Sequence, residues 1–216
     1  MVKSVNSVVI LVIHISIGAI VLANPIISLL FQRGEFDERA TNMTATALIC
    51  YSIGMIGFGL RDILGKVFYS LQDTKTPIVN EAMSMIINII LNLVLLKFMG
   101  HAGLAIATSI SALVCILLLF RSLNRKIGYF GQDKILKVFI KSLISSIAMG
   151  VVTYFSYTFI KGLLWLGYIY DIISLFIAIY IRFSIYLVII TFLKIEEVSA
   201  LTSVLKKFLN CKIFYK

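Results

Sequence analysis

The chain of 216 residues is 60% hydrophobic and only 14% charged, and its mean hydropathy of +1.02 lies far above the globular range. A soluble fold of this size cannot bury so much apolar surface, which excludes an ordinary cytosolic enzyme. The formal net charge of +10 sits at the ends of apolar stretches, not on a soluble patch, so no nucleic-acid partner is expected.

The expected class is all-α, a polytopic membrane helical bundle. A helix crossing about 30 Å of hydrocarbon needs roughly 20 apolar residues, and six stretches qualify as transmembrane helices: 5–31, 42–69, 77–98, 103–121, 136–160 and 169–193. The first carries His14 and Gly18 ahead of an Asn24–Pro25 kink. It continues to Phe31 without a small-residue cleavage site, so it reads as a true span and not as a signal peptide. A lone His14 in an apolar helix reads as a hydrogen-bonded packing residue.

The second span is loosened by Gly54, Gly57, Gly59 and Gly65 and also carries Arg61, Asp62 and Lys66. Asp62 and Lys66 are four residues apart and can pair on one face. Arg61 and Lys66 admit two readings: they snorkel to the interface, or they line a substrate cavity and attract an anionic headgroup. An uncompensated Arg deep in lipid costs roughly 2.5–3.5 kcal/mol.

The third span holds the most informative pattern. Asn80, Ser84, Asn88 and Asn92 recur at every fourth position and so form one polar face on a helix. In hydrocarbon such a face persists only where it meets other polar groups or a wet cavity. The fourth span offers Gly103, Ala107 and Ser111 as a small-residue stripe for close approach, with Thr108 and Ser109 beside it. Two readings stand open: helix glue, with Asn88 and Asn92 bonding across to Thr108 or a carbonyl, or a cation site built from hard oxygen ligands.

The fifth span aligns Ser142, Ser146, Gly150, Thr153 and Tyr157 on one face. The sixth carries Arg182, read as a packing or snorkelling residue. The tail from Lys194 to Lys216 mixes lysines with Leu201, Val204, Phe208 and Leu209, as an amphipathic helix on an anionic leaflet would. Cys50, Cys115 and Cys211 are too dispersed for a disulfide framework or a metal site. No catalytic constellation or metal-ligand cluster is present, so neither enzymatic activity nor a bound metal is expected.

Alternating the spans from a cytoplasmic N-terminus collects Lys3, Lys66, Lys75, Arg121, Arg125, Lys126, Lys134, Lys137, Lys141 and the tail lysines inside. Only Arg33, Arg39, Lys97 and Lys161 remain outside. The positive-inside rule therefore puts both chain ends in the cytoplasm.

The segments PIISLLFQRGEF at 25–36, FYSLQDTKTP at 68–77, INIILNLVLL at 87–96 and MGHAGLAIATSIS at 99–111 resemble, in this order and spacing, the C-terminal part of the MurJ (MviN) lipid II flippases. These belong to the multidrug/oligosaccharidyl-lipid/polysaccharide exporter superfamily. The resemblance covers about residues 1–130. It implies helices nine to fourteen of a fourteen-helix flippase: residues 1–130 as part of the C-terminal transporter lobe, 131–193 as two additional transmembrane helices, and 194–216 as a cytoplasmic basic tail.

It further implies a C-terminal fragment, or a truncated reading frame, of a protein of the bacterial cell membrane. That protein would move an undecaprenyl-diphosphate-linked peptidoglycan precursor from the inner to the outer leaflet by alternating access. Its partners would be membrane lipid and the lipid-linked precursor. Two alternatives are an exporter of another lipid-linked polysaccharide repeat unit, and a non-transporting half that pairs with a separate N-terminal half.

The resemblance implies transport driven by membrane potential or by Na⁺. For Na⁺ it points to positions matching Asn88, Asn92, Leu104 and Thr108, with Asn92 an amide where a carboxylate can occur, and to an Asp of the seventh helix, which it places outside this chain. Arg61 and Lys66 are substrate-cavity candidates from this sequence alone.

Overall fold

A computed structural model describes residues 2–163 together with 177, 179, 180 and 184–186. Its helices are α1 (Val2–Val21), α2 (Ala23–Phe31), α3 (Glu38–Ser70), α4 (Lys75–Met99), α5 (His101–Ile127) and α6 (Gln132–Leu163). Five of the six expected spans fall on these elements, and α1, α3, α4, α5 and α6 are each long and apolar enough to cross a membrane. The expected span at 169–193, with Arg182, and the tail from 194 lie outside the described residues.

The first expected span is divided in two. Pro25 has no N–H to donate to the Val21 carbonyl, and its ring crowds the preceding turn. The helix accordingly breaks at Leu22, whose N–H still reaches the Gly18 carbonyl at 3.0 Å. The remaining helices overshoot the hydropathy limits. α3 starts at Glu38 because Asp37 caps it, its Oδ1 accepting from the Ala40 N–H at 2.7 Å. At 33 residues α3 is about 50 Å long, more than the lipid core.

α3 ends in a Schellman turn. The Asp73 N–H donates to the Phe68 carbonyl and the Gln72 N–H to that of Tyr69, both at 3.0 Å, which places Gln72 at φ 56°. A single residue, Gly100 at φ 56° and ψ −130°, joins α4 to α5. Only glycine adopts that conformation without strain.

Paired contacts give the topology. Gly54 and Gly57 of α3 lie against Ser109 and Ala112 of α5, so these two helices run parallel. Gly59 lies against Val8 and Val12, while the Ser16 hydroxyl donates to the Ser52 carbonyl, so α1 and α3 are antiparallel. α4 doubles back along α5, and Gly150 of α6 packs on Ile17 and Val21 of α1.

The core is a chain of apolar clusters along these seams. Val5, Val9, Ile13, Leu60 and Ile116 tie α1, α3 and α5 together, and Leu64, Phe68, Cys115, Leu119 and Leu123 continue the α3–α5 contact. The starts of α1, α4 and α6 and the ends of α3 and α5 thus share one end of the bundle. Lys3, Lys66, Lys75, Arg121, Arg125, Lys126, Lys134 and Lys137 stand at or near it, and Arg33, Arg39 and Lys97 stand opposite.

Candidate functional site

The polar face of α4 meets α5 along its whole length. The Asn80 amide donates to the Ser122 hydroxyl at 3.1 Å, and the Ser84 hydroxyl donates to the Ser111 carbonyl at 2.6 Å. Asn88 donates to Thr108 Oγ1 at 3.4 Å and to Ser111 Oγ at 3.2 Å. Asn92 donates to Asn88 Oδ1 at 3.0 Å, and the Thr108 hydroxyl donates to the Leu104 carbonyl at 2.9 Å.

Asn80 and Ser84 are buried, while Asn88 and Asn92 are half-buried. The close approach rests on Gly103, where an added Cβ would stand 2.4 Å from the Leu95 carbonyl oxygen. The small-residue stripe on α5 is therefore spatially real, and Asn80, Ser84 and Asn88 act as interhelical glue in this conformation, whereas Asn92, expected to bond across, donates within α4 to Asn88.

Asn88, Asn92, Leu104 and Thr108 are brought to one place. One atom there is unmatched: Asn92 Oδ1 is buried without a hydrogen-bond donor. A buried carbonyl oxygen left bare costs about 1–3 kcal/mol, and the oxygens these four residues carry, linked through the successive bonds from Asn92 to Asn88, Thr108 and Leu104, are of the kind a hard monovalent cation takes. All four oxygens are neutral. Among the described residues no group of three His, Cys, Asp or Glu side chains could hold a metal ion.

The cationic candidates separate. Arg61 is half-buried, with Nε 3.7 Å from Asp62 Oδ1 and its guanidinium 5.7 Å from the Phe58 ring centre. Asp62 thus neutralises its sequence neighbour and not Lys66, four residues on, because the Arg61 side chain is long enough to bend across the angular gap. Lys66 is exposed and lines a groove of about 510 Å³ with Ser4, Ile63, Val67, Ser70, Leu71 and Ile127.

Spacing within one span could not name the partners from elsewhere. Ser122 and the Ser111 carbonyl are supplied by the crossing of α5. Ser109, expected only as an extra hydroxyl, donates to the Cys50 carbonyl at 2.6 Å and fastens α3 to α5. His14 is buried with its ring 3.8 Å from that of Tyr186, whose hydroxyl donates to the Ile10 carbonyl at 2.8 Å. On α6, Ser142, Ser146, Gly150 and Thr153 are buried as their shared face requires.

At the basic end, Asp73 receives the Thr76 N–H at 3.0 Å, the Thr76 hydroxyl at 2.7 Å and the Lys126 ammonium at 2.5 Å. These bonds, Lys126 first, hold its carboxyl well below the usual range. The Asp73-x-x-Thr76 spacing before Pro77 was the available signal for that cap.

Residues 1–176 match the family model described as lipid II flippase MurJ. A probable lipid II flippase MurJ of Vibrio cholerae is 42% identical over 108 residues, 50% of this chain and 21% of the relative. One from Buchnera aphidicola subsp. Schizaphis graminum is 32% identical over 190 residues, 87% of this chain and 36% of the relative. A solved lipid II flippase MurJ in an inward closed conformation superposes with a TM-score of 0.73 at 25% identity, over 88% of this chain and 37% of that one. In these matches the chain spans from about a fifth to somewhat over a third of the length of its relatives.

Proposed function

The chain belongs to the MurJ family of lipid II flippases, and from that membership we propose that it forms the C-terminal part of a transporter that carries a lipid-linked peptidoglycan precursor across the bacterial cell membrane. The family consists of transporters, not enzymes. Alternating access, with the precursor moving from the inner to the outer leaflet, is the mechanism proposed for the whole protein. The observation that carries the reading is the α4–α5 seam, an amide and hydroxyl ladder inside the spanning part of a chain that matches this family over residues 1–176.

Na⁺ is the proposed coupling ion. When bound, it would supply a positive charge whose uptake and release differ between two conformations. Asn88, Asn92, Leu104 and Thr108 would hold it. The support is the bare Asn92 Oδ1 and the neutral oxygens around it. In the present geometry the Asn88 and Asn92 amide hydrogens are spent within the ladder, so a cation would be accepted by turning these amides oxygen-first. Arg61 and Lys66 are proposed as anion contacts, Arg61 adding positive potential along the diphosphate's path and Lys66 standing as a cation that no ion pair neutralises among the described residues.

Complementation tests the proposal. Cells depleted of their own flippase would receive this chain either alone or with the N-terminal portion of a MurJ relative, fused or as a second chain. Rescue is expected only in the combined arrangement, and Asn88→Leu with Asn92→Leu should abolish it. Each lost interhelical bond costs only about 0.6 kcal/mol, so protein levels should persist. Full rescue by the double variant would overturn the role of the seam. Growth restored by the chain alone would overturn the need for the remainder.

A further inference from the structure

We infer that the groove between the start of α1, the end of α3 and the end of α5 is a seat for an anionic glycerophospholipid, with its phosphodiester on Lys66. This deepens the reading of Lys66 as an anion contact by naming the anion as a resident lipid and not the transported diphosphate.

The groove has the two halves such a ligand needs. Ile63, Val67, Leu71 and Ile127 form an apolar wall for the first part of an acyl chain, while Lys66, Ser4 and Ser70 stand at the polar side. Its volume of about 510 Å³ lies within the roughly 300–1,000 Å³ of small-molecule sites. Ser70 spends its hydrogen on the Val67 carbonyl at 2.7 Å, so Ser4 is the hydroxyl donor for a phosphate oxygen.

Charge decides the occupant. The acidic residues nearest Lys66 in sequence are both engaged: Asp62 faces Arg61 at 3.7 Å and Asp73 holds Lys126 at 2.5 Å. Lys66 forms no ion pair among the described residues, and Lys3, Arg125 and Lys126 lie within two residues of the groove's wall in sequence. An uncompensated ammonium beside an apolar wall, at the end of the bundle where basic residues collect, is complementary to an anionic inner-leaflet lipid.

The test is thermal unfolding of the full chain in detergent with added phosphatidylglycerol, phosphatidylcholine, inorganic phosphate or undecaprenyl diphosphate. Phosphatidylglycerol should raise the midpoint saturably, and the other three should not. Lys66→Gln should weaken the apparent affinity about fivefold, as expected for one Lys at a charged surface, while Lys75→Gln, at the same end but outside the groove, should leave it unchanged. Val67→Phe should weaken binding with the charge intact, by filling the groove.

An equal loss in Lys75→Gln would reduce the effect to general surface charge and overturn the site. A response to inorganic phosphate matching that to lipid would overturn the lipid as occupant. A Lys66-dependent response to undecaprenyl diphosphate alone would overturn the phospholipid but keep Lys66 as an anion contact. Loss of Lys66 dependence for both lipids would overturn both readings.

Discussion

Asp73 is the residue on which the basic end turns. Its carboxylate caps α4 through Thr76 and binds Lys126 at the end of α5, joining two elements at one side chain, while its backbone N–H closes α3 on the Phe68 carbonyl. Since these contacts lower its pKa from the ordinary 3.8, its contribution to stability is complete above that value and is lost as pH falls toward the folded-state pKa. Asp73→Asn should therefore lower the unfolding midpoint by a constant amount from pH 7 to pH 5, with the gap to the parent chain narrowing only in stronger acid. A gap already closing near pH 6 would show that another group is responsible. The spacing Asp73-x-x-Thr76 was readable in the sequence. Lys126 was not, because the contact spans 53 positions and depends on where α5 ends.

The helices themselves were legible because hydropathy and 3.6-residue periodicity report burial in lipid directly. Their limits were less so. Hydropathy falls where a helix leaves hydrocarbon, but backbone hydrogen bonding does not, so α5 runs on through Arg121–Ile127 and α3 begins already at Glu38. The glycines of α3, read only as a loosening of the helix, divide by what they touch. A Cβ at Gly54 would lie 2.7 Å from Ser109 Cα and one at Gly57 2.8 Å from Ala112, whereas a Cβ at Gly65 meets nothing within 4 Å. Gly54→Val should force α3 away from α5 at a cost of about 1–3 kcal/mol. Gly65→Ala should be neutral or stabilising by up to about 1 kcal/mol. Thermal unfolding compares the two, and equal effects would mean that the α3–α5 contact does not depend on close approach.

At the scale of the whole molecule, the chain directions collect most of the basic side chains of the described residues toward the end where α1, α4 and α6 start, and leave Arg33, Arg39 and Lys97 among the few toward the other. That asymmetry predicts the orientation: a cysteine replacing Lys3 should be labelled by an impermeant thiol reagent only after the membrane is opened, and one replacing Arg33 in intact cells. Both native cysteines of the described part, Cys50 and Cys115, are buried and should stay silent. The bundle also leaves α4 covered on one side only, with Ile78, Met85, Ile86, Ile90, Leu93 and Phe98 more than half exposed. The polar face of α4 was legible as a ladder, but which element would answer it was not, since the Gly100 turn sets that pairing through backbone dihedrals and not through hydropathy.

The same turn bears on biogenesis. With one residue between them, α4 and α5 have no slack to enter the bilayer one after the other as independent rods. We expect them to pass into lipid as a hairpin, with the amides of α4 already screened by the hydroxyls and carbonyls of α5. Lengthening that joint would let each rod insert separately and expose the amides to bare hydrocarbon at the moment of insertion.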